Sequence, residues 1–146
     1  MDESVFRAVR DAANPQPCVF EKALQAGCAE CELAVRHALA EREAVACASP
    51  VARTNCATLL ELLRERSAFA LKLAPDAAAP HAVMLKVQCG GLAGLRRVVD
   101  PDVPNVHRLI AAARARHGSL VDLAWSDIVA AVQAWRGRRR RTQRSP

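Results

Sequence analysis

Apolar positions recur at helical spacing along most of this chain. Residues 2–13 predict a short amphipathic helix, closed by the turn Asn14-Pro15-Gln16-Pro17. From about Gly27 to Ala46 helix formers dominate, and Cys28, Cys31, Val35 and Leu39 fall on one stripe, with Glu32 and Arg36 as an i, i+4 ion pair. Ser49-Pro50 is a cap followed by proline at the first helical position. The helix it opens is expected to reach about Ser67, burying Cys56, Leu59, Leu60 and Leu63.

A loop at 75–80 precedes HAVMLKVQC, where Val83, Leu85, Val87 and Cys89 alternate with Met84, Lys86 and Gln88. Period two suggests a strand, but no partner strand is evident. Residues 81–89 are therefore expected to form a lone extended segment or a short helix ending in Cys89-Gly90-Gly91. Beyond the DPDVP turn, residues 104–117 predict a helix ending at Gly118. Residues 120–136 predict another, with Leu120, Leu123, Ala124, Ile128, Ala131 and Trp135 turned inward. The fold class expected is all-α (mainly α): a compact multi-helix single domain over residues 1–136, with one short extended segment at 81–89 and a basic disordered tail over 137–146.

Composition agrees with that pattern. The 146 residues are 51% hydrophobic but only 3% aromatic, with no Tyr. Such a core is built from Ala, Leu and Val, which favours helices over sheets. The opening stretch carries Asp2, Glu3, Arg7, Arg10 and Asp11 where a secretory signal needs an apolar run, and no apolar stretch is long enough to span a bilayer. A soluble, cytoplasmic protein without membrane contact is expected. The net charge of +6 comes from Arg136, Arg138, Arg139, Arg140, Arg141 and Arg144; without them acidic and basic side chains balance. Nucleic-acid binding through this tail is possible on charge alone, but the neutral body offers no basic face to continue it. No phosphate-binding loop, G-x-S-x-G, H-E-x-x-H or clustered carboxylate pair is present, so an enzyme is not expected.

The chemistry rests on six cysteines in the spacing C-x9-C-x2-C-x15-C-x8-C-x32-C. One reading is buried, inert thiols, which would leave an interaction or nucleic-acid-binding protein using the basic tail. A disulfide framework pairing Cys18-x9-Cys28 with Cys47-x8-Cys56 suits oxidising compartments and chains too small for a core, neither of which is indicated. Structural zinc normally uses two close ligand pairs; only Cys28-x2-Cys31 exists, and His37, His81, His107 and His117 supply no second pair. A redox C-x-x-C at Cys28 and Cys31 lacks its usual setting after a strand.

An iron–sulfur cluster needs four converging thiolates that several elements can supply. Cys47-Ala48-Ser49-Pro50 places a thiolate at a helix N-terminus, where free amides and the dipole favour negative charge. Cys89-Gly90-Gly91 offers close-approaching backbone amides. The ligands expected are Cys31, Cys47, Cys56 and Cys89, with Cys28 or Cys18 as a replacement and Gly90 and Gly91 lining the cluster. A 4Fe-4S cluster is favoured and zinc less so, in a protein that transfers electrons to a protein redox partner or acts as a redox sensor or accessory subunit.

Overall fold

The computed structural model describes residues 16–39, 41–74, 79–103 and 105–137. The expected helix at 2–13 and nearly all of the basic tail lie outside the described residues. In chain order the described elements are α1 (Glu21–Gln25), β1 (Ala34–Leu39), β2 (Arg42–Cys47), α2 (Pro50–Leu71), α3 (His81–Val99), α4 (Val106–His117), a 3-10 turn (Leu120–Asp122) and α5 (Trp125–Ala134). The fold is mainly α, and no helix among the described residues is long and apolar enough to cross a membrane.

The helix starts and stops follow side-chain chemistry. Ser49 Oγ accepts the Ala52 amide at 3.2 Å, with Pro50 in the first turn of α2. Asn105 Oδ1 accepts the Arg108 amide at 3.2 Å to open α4, which Gly118 closes at φ 76°. These satisfy amides that a helix leaves unpaired at its start. Lys72 ends α2 in the left-handed conformation, and the Leu73 amide reaches back to the Ala68 carbonyl at 2.8 Å.

Helix α3 is the centre of the core. Val87 to Leu92 are buried without a break. A helix covered on several sides shows no simple apolar stripe, which is why its sequence reads ambiguously. Cys89-Gly90-Gly91 does not end this segment; the helix runs on to Val99. A Cβ on Gly90 would lie 2.8 Å from Val132 Cα, and one on Gly94 would lie 3.0 Å from Ile128 Cα, both on α5. One on Gly91 would meet Leu63 of α2 at 2.6 Å. The glycines let α5 and α2 approach α3 closely, and that close approach offsets their low helix propensity.

The helix expected over 27–46 is instead a two-stranded antiparallel hairpin, with Ala34 opposite Cys47 and Leu39 opposite Arg42. The stripe that suggested a helix is not a buried face: Val35 is 48% exposed. The hairpin buries Ala44 and Val45, and the short segment Gln16–Cys18 lies along β2 through Cys47 N–H to the Gln16 carbonyl and Cys18 N–H to the Val45 carbonyl, each 2.8 Å. Strand pairing overrides the modest helix preference of Ala, Glu and Arg. The ion pairs change with it: Arg36 bonds Glu43 diagonally across the hairpin at 2.6 Å, while Glu32 takes both arms of the Arg108 fork at 3.1 Å. At the other end, the expected helix over 120–136 divides into the 3-10 turn and α5, and the Trp125 indole donates to the Leu120 carbonyl at 3.0 Å across the break.

Candidate functional site: four thiols on one cavity

Two backbone crossings bring distant cysteines together. Pairing of Gln16–Cys18 with β2 sets Cys18 opposite Val45, diagonal to Cys47 at the strand end. The segment after α1 is tied to the start of α4 by Val106 N–H donating to the Glu30 carbonyl at 2.8 Å, which fixes Cys31 next to Glu30. Cys56 arrives from the second turn of α2, and Arg53 one turn earlier donates Nε–H to the Pro17 carbonyl at 2.7 Å, bracing the segment that carries Cys18.

Cys18, Cys31, Cys47 and Cys56 all line one cavity, walled otherwise by Phe20, Leu24, Leu33 and Val106, with Arg53 and His107 at its margin. All four are unpaired and partly buried. The enclosed space is about 20 Å³, enough for a single atom-sized occupant. Among the described residues, no group of three or more His, Cys, Asp or Glu side chains is disposed to hold a metal ion as the side chains stand.

The electrostatics of the metal-free thiols follow from this setting. Burial pushes the Cys56 thiol up to about 12, and the neighbouring Cys18, Cys31 and Cys47 add to the rise, with the Arg53 guanidinium opposing it. Burial likewise pushes Cys18 up to about 11; a backbone hydrogen bond from Phe20 opposes this, and Cys31 and Cys47 reinforce it. Cys47 donates its S–H to the Ser49 carbonyl at 3.2 Å. Without a cation Cys18 and Cys56 stay protonated at neutral pH. A bound metal reverses this, because thiolate ligation displaces the protons.

The remaining expected site residues lie elsewhere. Cys89, on the buried face of α3, is joined in a disulfide to Cys28, with a Cα–Cα distance of 5.6 Å. It therefore does not stand with Cys31, Cys47 and Cys56; Cys18 takes that place. Gly90 and Gly91 face α5 and α2, where they serve helix packing. The disulfide is also not one of those the spacing suggested, since Cys18, Cys47 and Cys56 remain unpaired. His107, which supplies no second ligand pair by its spacing, lines the cavity; its position near the start of α4 becomes informative only once Glu30 is known to pair with Asn105. No protein-family model, no curated protein and no solved structure matches this chain.

Proposed function

We propose that the protein holds an iron–sulfur cluster on the thiolates of Cys18, Cys31, Cys47 and Cys56 and serves in electron transfer, as a redox sensor or as an accessory subunit. The observation that carries this reading is the convergence of four unpaired cysteines, from four separate chain segments, on one apolar cavity. Four thiolates match the usual donor count of a cluster. Their placement on three loop or strand-end positions and one helix differs from the paired knuckles typical of structural zinc.

Apolar walls exclude water and lower the local dielectric, two of the means by which a protein tunes a cluster. The N-terminus of α2 behind Cys47 supplies amides and a dipole that offset negative charge. At about 20 Å³ the cavity has room for one water-sized occupant as it stands, so loading a cluster requires the thiol side chains to swing outward about their Cα–Cβ bonds. Cys18, Cys31 and Cys47 lie outside the helices.

A second reading is favoured by one observation: the thiols are not closed into a ligand group and burial keeps two of them protonated. In that case they are core filler, and the protein is an interaction module that uses its basic tail. Iron, sulfide and zinc analysis of protein purified anaerobically from iron-replete cells separates the readings. Iron with equimolar sulfide and a broad visible absorption support the cluster. Zinc without sulfide assigns the same thiolates to a structural ion, and absence of all three supports the buried-thiol reading.

A further inference from the structure

Cys56 has two faces. One lines the thiol cavity; the other lines a solvent-open pocket of about 200 Å³ between α2 and α4. His107 and Ala52 also border both spaces. Apolar Ala52, Ile110 and Ala111 line it together with polar Asn55, His107 and Arg114.

Its charge is one-sided, since no carboxylate lines it among the described residues. The other arginines of α4 are engaged, Arg108 by Glu32 and Arg116 by Asp100. Among the described residues, no side-chain hydrogen bond or ion pair engages Arg114 or Asn55. A fork of guanidinium donors and a carboxamide beside aliphatic side chains matches a head-and-body ligand. The head is a carboxylate, bound in bidentate fashion by Arg114, and the body is a short aliphatic chain. At about 200 Å³ the pocket falls below the roughly 300–1,000 Å³ typical of drug-sized ligand sites, so the ligand is a small one.

We propose that the α2–α4 pocket binds a small aliphatic carboxylate, its head on Arg114 and Asn55 and its body on Ala52 and Ile110. Bound there, the ligand covers the solvent face of Cys56. The pocket is argued from its own walls and stands whether or not the thiols hold a metal.

Butyrate, inorganic phosphate and chloride are titrated at constant ionic strength into the full chain, with NMR signals of the His107 ring and the Asn55 and Arg114 side chains as readout. Butyrate is expected to saturate and to bind more tightly than phosphate or chloride, which have no aliphatic body. Arg114→Gln is expected to weaken butyrate about tenfold or more, the loss expected of a charge-assisted hydrogen bond. Cys31→Ser, which removes a proposed cluster ligand that lies outside this pocket, is expected to retain butyrate binding; this separates failure of the pocket from failure of the cluster. Unsaturable shifts, equal binding of all three anions, or unchanged affinity in Arg114→Gln overturn the proposal.

Discussion

Reducing the Cys28–Cys89 disulfide should cost the metal-free protein a large part of its stability. The bond joins the loop after α1 to the middle of α3 across a sequence separation of 61. By the chain-entropy argument, a cross-link of that span restricts the unfolded ensemble enough to contribute about 4 kcal/mol. For a chain of this size, with a urea m-value of about 2 kcal/mol per M, the midpoint should fall by about 2 M on reduction. The assay is urea unfolding followed by circular dichroism, in chelator, with and without a phosphine reductant, and with the thiol count verified in each sample. The double variant Cys28→Ala/Cys89→Ala should start near the reduced midpoint and ignore the reductant. It controls for effects on the other four cysteines, which are already free. If the midpoint is the same in verified oxidised and reduced protein, the cross-link does not act through the unfolded chain and the reasoning fails.

The glycines of α3 yield a second prediction. Gly94→Ala places a methyl 2.9 Å from Ala131 Cβ and 3.0 Å from Ile128 Cα, an overpacking cost of about 1–3 kcal/mol against roughly 1 kcal/mol regained from helix propensity. Calorimetry should show Tm lower by about 3 °C, and an unchanged or higher Tm would mean that α5 is not held this close. A third concerns pH in the metal-free protein. Cys18 and Cys56 have folded pKa values raised from 9.0 to about 11 and about 12. The folded state therefore keeps protons that the unfolded state releases. Their contribution is present below about pH 9 and is lost as pH rises through the folded values. Urea midpoints measured from neutral pH upward should show this alkaline decline, and Cys18→Ala should flatten part of it.

How much could be read beforehand differs by element. Helix α2 was legible from its Ser49-Pro50 cap, and α4 from the DPDVP turn before it and Gly118 after it, because these are chemical signals that act locally. The hairpin was not, because Ala34–Leu39 and Arg42–Cys47 are composed of residues with good helix propensity and gain strand form only by pairing with each other and with Gln16–Cys18. Missing the hairpin hid Cys18, whose place diagonal to Cys47 depends on that third segment. Cys56 was legible as an inward-facing thiol and Cys47 as a thiolate just before a helix N-terminus, whereas Cys31 was placed inward on a helix that does not form. Cys89 was misassigned because the following glycines resemble a loop that offers amides, whereas burial of α3 among its neighbours makes them packing surfaces. Residue type indicated where thiols were gathered; which thiols meet depended on long-range pairing.

The most direct test of the central claim is metal and sulfide content per chain in the six single Cys→Ser variants, each purified anaerobically beside the parent protein. Cys18→Ser, Cys31→Ser, Cys47→Ser and Cys56→Ser should lose or destabilise the cluster and its visible absorption, while Cys28→Ser and Cys89→Ser should retain both. Loss in the Cys89 variant with retention in the Cys18 variant would contradict the site described here, and a parent protein free of iron and sulfide would contradict the cluster itself.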